Sequence, residues 1–299
     1  MKITEKGFEL LKYLEGAKGK RLSQKFLAEE LGFSVGMVNS LLRTFDKSGF
    51  VTMEGETSIT SKGIEALEPF RVKRAVILAA GVSERLMPVS LSVPKPLVTI
   101  NGKRIVDTII DALLQNDIED ITVVVGYKKE MFSKLKDKYP DIKFVENPLY
   151  NQSGNITTLA SAIDSLENCY ICDADLYIHN TEVISKYEFN SCFFALPVRK
   201  TDDWRLVLNG KKVASLSLGG ERCYKTIFIT YLNSSAGQRC KKDIEEALNK
   251  RGGKEHRWFD ILNKKYDIDV KECFSDDISE IDTMDDLIKL DKSYLSIQI

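Results

Sequence analysis

AVILAAGVSERLMPVSLSVPKPLVTINGKRIV, residues 75–106, decides how the rest of the chain is read. Ala75 to Ala80 form an apolar run of strand length that ends at Gly81. A loop carrying Arg85 follows, then a Pro94-Lys95-Pro96 step, and a helical pattern begins at Arg104. A glycine at a strand exit accepts any φ and lets another group approach the backbone closely, which is how α/β folds present N–H groups to a phosphate. Arg85 and Lys95 put two cations on the same loop, and the flanking proline rings restrict the backbone at Lys95. The stretch therefore predicts a triphosphate cradle. The competing reading is a βα turn that merely joins two elements.

The same residues resemble the nucleotidyltransferase signature L-A-A-G-x-G-x-R-L-x-P-x-T…P-K-P-L. Leu78, Ala79, Ala80, Gly81, Arg85, Leu86, Pro88, Pro94, Lys95, Pro96 and Leu97 match it in one register, far more than a lone glycine motif would. Ser83 stands where the family usually has its second glycine, with Val82 between. The resemblance implies an enzyme that joins a nucleoside triphosphate to a phosphorylated small molecule, with Leu78 to Ser83, Arg85 and Lys95 around the nucleotide. The Ser83 departure bears on loop geometry, not on membership.

At 299 residues, with 43% hydrophobic and 29% charged side chains, the composition is that of an ordinary globular chain of one large domain or two smaller ones. The N-terminus is charged and amphipathic, without a signal-peptide core, and no stretch approaches the roughly 18 apolar residues of a membrane span. The expectation is a cytoplasmic protein with no membrane partner. Of the six cysteines only Cys169 and Cys172 are close in sequence, and there are two histidines, so a zinc ribbon lacks its second pair. Three residues apart in an apolar strand, Cys169 and Cys172 face opposite sides of a sheet and read as reduced core residues. A net charge of −1 supplies no general attraction to nucleic acid or to an acidic membrane.

Residues 1–70 read as a small winged helix-turn-helix domain. A helix from Thr4 to Glu15 is followed by one from Ser23 to Leu31 that stops at Gly32, and a third opens at Ser34. Phe50 to Met53, Glu54-Gly55-Glu56 and Thr57 to Thr60 make a hairpin, and Ser61 to Leu67 a closing helix. DNA binding would set the third helix in the major groove with cations on the phosphates. That helix offers Arg43 and Lys47, the hairpin tip is acidic, and the span holds ten Lys and Arg against ten Asp and Glu. DNA is thus the less favoured partner, and docking or self-association, a homodimer included, remains the rival use.

Residues 71–299 alternate strands and helices as an α/β, Rossmann-like, mostly parallel sheet does. Helices are expected at Arg104 to Asn116, Lys128 to Tyr139 and Asn155 to Leu166, and strands at Ile121 to Val125, Ile142 to Val145 and Cys169 to Cys172. Ligands of such sheets sit beyond the C-terminal strand ends, which puts the glycine loop and Asp173-Ala174-Asp175 on one edge. Short strands at Ser191 to Val198, Trp204 to Leu208, Lys212 to Leu218 and Lys225 to Tyr231 predict an antiparallel extension.

Within the superfamily, Asn155-Ile-Thr-Thr-Leu159 resembles the small cytidylyltransferases that activate phosphocholine and related amino-alcohols, over roughly residues 73–295. This implies CTP as donor, with Asn155, Thr157 and Asp173 beside the nucleotide, and Mg²⁺ held by Asp175 and by a late aspartate, Asp282, of the cluster Glu280-Ile281-Asp282. Asp282 reads equally as the N-cap of a helix from Thr283 to Leu290. A quaternary ammonium is best met by aromatic faces and a carboxylate. Asp203 and Trp204 match the family segment that contacts the cation, and Tyr231, Trp258 and Asp260 are placed to add walls, or else are core. Phosphoethanolamine and 2-aminoethylphosphonate fit the same surroundings. A sugar-1-phosphate nucleotidyltransferase and a ligand-sensing transcription regulator are the remaining readings. His179 and His256 are not expected to be catalytic, because the attacking phosphate is already ionised.

Overall fold

The computed structural model describes residues 2–17, 22–54, 56–262 and 265–297, and divides the chain into two compact units. The first comprises Met1–Arg71 with Tyr187–Phe189, the second Val72–Lys186 with Asn190–Ile299.

In the first unit, helices α1 (Glu5–Gly16), α2 (Gln24–Leu31) and α3 (Val35–Lys47) each start at a hydroxyl side chain that accepts a hydrogen bond from the first turn: Thr4, Ser23 and Ser34. Such caps satisfy backbone N–H groups that have no partner inside the helix. Gly32 takes the left-handed conformation (φ 64°) that turns α2 into the α3 segment. Strands β1 (Val51–Thr52) and β2 (Ser58–Ile59) form a short antiparallel pair, and helix α4 (Ser61–Leu67) follows. Gly55, at the expected tip of the hairpin, lies outside the described residues. Phe8, Leu11, Leu14, Leu42 and Phe45 fill the core of this unit together with Tyr187. Phe70 stacks on Phe189 at 5.3 Å, and Phe8 meets both rings.

The second unit is built on β3 (Arg74–Ala79), the apolar run of the signature stretch. After it come a short helix α5 (Val89–Ser92), the small pair β4 (Thr99–Ile100) and β5 (Lys103–Arg104), and helix α6 (Ile105–Gln115). Strand β6 (Asp120–Val125), β7 (Lys143–Glu146), the short helix α7 (Ile156–Ala160), β8 (Cys169–Asp173) and β9 (Leu176–Ile178) follow. The long strands β10 (Ser191–Asn209) and β11 (Lys212–Leu232) lead to α8 (Ser234–Leu248), β12 (Ile268–Glu272), β13 (Ile278–Glu280) and α9 (Met284–Leu290).

The main sheet runs β10-β12-β11-β8-β3-β6-β7. β7, β6, β3 and β8 are parallel, β11 joins β8 antiparallel, and β12 lies parallel to β10. Both faces are covered, so the central strands read as unbroken apolar runs. Cys172 packs in the core on one face and Cys169 in the core on the other, both as free thiols, as their spacing requires.

Three expectations change. The segment expected to be helical from Lys128 to Tyr139 is a 3₁₀ stretch, Lys129–Leu135, and the one from Asn155 to Leu166 is α7 plus a 3₁₀ turn at Ile163–Ser165. In both, packing over the sheet decides the local winding, which hydrophobic spacing alone cannot fix. The four short strands after Ser191 are two long ones. Lys200-Thr201-Asp202-Asp203 looks like a loop in sequence, yet Lys200 pairs with Glu221 and Thr201 with Gly220 through a run of register shifts. An antiparallel ribbon open to water tolerates that polarity.

Candidate active site

Parallel β3 and β8 end side by side, Leu78 opposite Asp173, so the loop after Ala79 and the Asp173-Ala174-Asp175 turn share one edge. A third piece joins them. β13 pairs antiparallel with β9, and the Ile281 N–H donates to the Asp175 carbonyl (2.9 Å), which draws Glu280 and Asp282 beside Asp175. Oxygen atoms of Asp175, Glu280 and Asp282 lie within 4.8 Å of one another.

Lys95 ties this cluster together. It is only 6% exposed, and its Nζ donates to Asp175 Oδ2 (3.1 Å) and Asp282 Oδ1 (3.0 Å). Burial alone would pull the ammonium down, but the two carboxylates outweigh it and hold its pKa above the ordinary lysine value. Arg85 is exposed and donates to the same Asp282 oxygen at 2.8 Å. The N-cap of α9 is Thr283, not Asp282, so the rival reading of Asp282 as a capping residue does not hold. Asp175 Oδ1 is buried without a hydrogen-bond partner among the described residues. A buried acceptor facing two further carboxylates is the donor set of a hard divalent cation, and these three residues fit one.

On one side of the cluster lies a cavity of about 190 Å³. The expected residues Leu78, Ala79, Ala80, Gly81, Ser83, Lys95, Asn155, Asp173 and Asp175 line it. Ser83 occupies the left-handed region at φ 58°, which explains why a glycine suits that position and shows that a serine can fill it. A Cβ on Gly81 would meet nothing within 4 Å, so the space beside it is open for a ligand. Asn155 accepts the Trp258 N–H (2.8 Å), and Asp173 accepts Trp258 Nε1–H (3.0 Å). Desolvation, then the charge of Asp175, push the Asp173 carboxyl well above its usual range despite that bond.

Not every expected residue is at the cavity. Val82 and Arg85 do not line it, and Thr157 is turned into a network with Asn147 and Ser153 while Thr158 takes the wall. The aromatic cage is not assembled. Tyr231 is 1% exposed and packs edge-on against Tyr170; Trp258 is fully buried, stacked on Phe193. Tyr231 is core because the register of β11 points it inward, and Trp258, which opens the 3₁₀ turn Trp258–Ile261, is held inward by its bonds to Asn155 and Asp173. Trp204 leans on Phe259 and carries the guanidinium of Arg257 over its ring, 4.3 Å away. Asp260 accepts the Arg257 N–H in a capping box. Asp203 does reach the site's far side, through Lys225 (3.1 Å), which also pairs with Glu280 (2.9 Å). Burial, then the charge of Asp175, lift the Glu280 carboxyl to about 7.

Sequence reasoning passed over Tyr150, Ser153 and Thr158, although all three lie within five residues of Asn155 on the stretch NPLYNQSGNITTL, residues 147–159. Nothing in the local sequence marks Lys225, whose partners are far away along the chain.

The Nucleotidyl transferase family model matches residues 74–202. The 2-aminoethylphosphonate cytidylyltransferase of Lancefieldella rimae is 31% identical over 228 residues, 74% of this chain and 93% of that protein. The choline-phosphate cytidylyltransferase of Streptococcus pneumoniae is 28% identical over 223 residues, 73% of this chain and 97% of that one. A solved structure of the CTP:phosphocholine cytidylyltransferase from S. pneumoniae superposes with a TM-score of 0.69 at 29% identity, covering 75% of this chain and 99% of that one. With the glycine loop and Lys95 on the signature's positions, and converging carboxylates beside them, this chain belongs to the nucleotidyl transferase family, among its cytidylyltransferases.

Proposed function

We propose that the protein transfers the cytidylyl group of CTP to phosphocholine or a closely related phosphorylated amino-alcohol, releasing pyrophosphate. The observation that carries this is Lys95, buried and bridging Asp175 and Asp282 at the edge of the glycine-loop cavity. An acceptor phosphate oxygen attacks the α-phosphorus, the new P–O bond forms, and the bond to pyrophosphate breaks. The problem is alignment and charge, not proton removal. The open space at Gly81 admits the phosphates, and Lys95 meets their charge. Asp175, Glu280 and Asp282 would hold Mg²⁺, which when bound would neutralise triphosphate and leaving-group charge. His179, bonded to Ser279, and His256 are absent from the cavity wall, in keeping with a reaction that needs no imidazole base.

A second reading, 2-aminoethylphosphonate or phosphoethanolamine as acceptor, is favoured by one observation. Trp204, Tyr231 and Trp258 are engaged elsewhere, whereas carboxylates remain near the cluster, and a primary ammonium can hydrogen-bond to carboxylates where a quaternary one cannot. Residues 1–70 follow the element order of a winged helix-turn-helix domain, and we propose that it docks a partner or a second copy in preference to DNA. CTP as donor fits a cytoplasmic setting.

The test is pyrophosphate release by purified protein with Mg²⁺, crossing CTP, UTP, ATP and GTP with phosphocholine, phosphoethanolamine, 2-aminoethylphosphonate and glucose-1-phosphate. Turnover with CTP and an amino acceptor, lost in Asp175→Asn and on chelation of the metal, is expected. Turnover with the sugar phosphate, or none with any pair, overturns the reading.

A further inference from the structure

Trp258 ties two walls of the glycine-loop cavity together. It is fully buried where the 3₁₀ turn Trp258–Ile261 begins, and its ring lies nearly parallel to Phe193 at 6.1 Å. Its backbone N–H donates to Asn155 Oδ1 (2.8 Å) and its indole N–H to Asp173 Oδ1 (3.0 Å), and both acceptors belong to residues that line the cavity. Two further bonds fix the chain on either side of Asn155: the Gly154 N–H donates to the Lys254 carbonyl (2.7 Å) and the Ile156 N–H to the His256 carbonyl (3.2 Å). The approach is so close that a Cβ on Gly154 would fall 2.2 Å from the His256 carbonyl oxygen. Residues 254–258 thus form a strap that holds Asn155 by backbone and side chain. An amide left free can turn either its oxygen or its nitrogen to a partner. Here Oδ1 is taken by Trp258, and Nδ2 has no hydrogen-bond partner among the described residues, so the free end of the amide is a donor.

We propose that Trp258 is a positioning residue that makes the site select cytosine over uracil, by holding Asn155 as a donor toward the N3 edge of the base. This rests on the cytidylyl-transfer reading and adds to it the device that chooses the pyrimidine. Cytosine N3 carries a lone pair and can accept from Nδ2. Uracil N3 carries a hydrogen, which would face another N–H with no acceptor between them. A site built around a hydrogen bond rejects the analogue that cannot make it, because both groups are then covered without partners. Without the strap the amide could turn over and serve either base, so the selectivity belongs to the Trp258 N–H as much as to Asn155.

The experiment measures Kd for CTP and UTP by calorimetry with Mg²⁺, and kcat/KM for both nucleotides with 2-aminoethylphosphonate and with phosphocholine, in wild type, Asn155→Asp, Gly154→Ala and Trp258→Phe. Wild type should favour CTP by about 30-fold or more. Asn155→Asp still accepts from Trp258 but turns an oxygen to the base, so the preference for CTP should fall by about 30-fold or more. Gly154→Ala places its methyl against the His256 carbonyl and displaces the strap, so the preference should fall about 10-fold, whereas a merely structural loss would weaken both nucleotides alike. Trp258→Phe keeps the backbone N–H and should leave the preference within about 3-fold of wild type. The proposal is overturned by a wild type that takes UTP as well as CTP, by an unchanged preference in Asn155→Asp, by equal weakening of both nucleotides in Gly154→Ala, or by a preference lost in Trp258→Phe. If Gly154→Ala does not fold, wild type and Asn155→Asp decide. CTP-selective binding without turnover on either acceptor would sink the cytidylyl-transfer reading and leave the base selection standing; turnover with equal use of CTP and UTP would do the reverse.

Discussion

Ser83 and Lys95 show how single positions of the signature carry their function. Lys95 is held between two carboxylates with almost no exposure, so its charge is aimed before any ligand arrives, which is the arrangement that makes electrostatic stabilisation effective. Ser83 departs from the family pattern and adopts the backbone conformation that the glycine would have used, at φ 58°. A non-glycine residue there costs about 1–2 kcal/mol, partly offset by the freedom glycine loses on folding. Ser83→Gly is therefore expected to raise stability by up to about 1 kcal/mol with turnover retained, read by thermal unfolding and pyrophosphate release. A lower melting temperature would show that the serine hydroxyl contributes more than the strain costs. The loop's residue types were legible because they are local; which side chains face the cavity was not, since Thr157 and Thr158 are adjacent and identical in type and only packing separates their roles.

At the scale of elements, α9 positions the late half of the carboxylate cluster. Asp286 in its first turn accepts from the Thr283 N–H (3.0 Å), the Thr283 hydroxyl (2.7 Å) and the Asp282 N–H (3.3 Å). Partial burial would raise the Asp286 carboxyl, but those bonds and Lys289 outweigh it and hold it below the usual carboxylate range. A depressed carboxylate contributes stability above its unfolded pKa of about 4, and that contribution disappears as pH falls through the lower folded value. Asp286→Ala should then cost about 1 kcal/mol at neutral pH, with wild type and variant converging in acid, as denaturant unfolding at several pH values would reveal. Because the Asp282 backbone is released, kcat/KM should also fall about 3- to 10-fold. A constant stability difference down to acid pH would refute the account. Elements with strong periodic signals, such as β3, α6 and β8, were readable from sequence, whereas β10 and β11 were read only as four short strands, because residues 199–203 and 219–224 are half-buried or exposed throughout and carry no apolar alternation to mark the ribbon as continuous.

At the scale of the molecule, the core of the first unit is completed by a segment more than a hundred residues further along the chain. Tyr187 is 1% exposed within it, and Phe189 stacks on Phe70. Residues 1–71 alone lack these side chains, so the unit is not autonomous in sequence. Tyr187→Ala in the full chain is expected to cost about 3 kcal/mol and to make residues 1–71 the first site of proteolysis, with the second unit still folded. Digestion that begins instead in the second unit would contradict this. No described helix is long and apolar enough to cross a membrane. By itself the sequence determined what depends on neighbouring residues: the strand, glycine loop and Pro-Lys-Pro step of the nucleotide edge, the caps of the N-terminal helices, and the family those residues announce. Only the tertiary structure decided what depends on distant residues meeting: Lys95 with Asp175 and Asp282, Lys225 with Asp203 and Glu280, Tyr187 with the N-terminal core, and the burial of Tyr231 and Trp258. Periodicity reports on each element's own faces, and pairing across the sheet sets which faces meet.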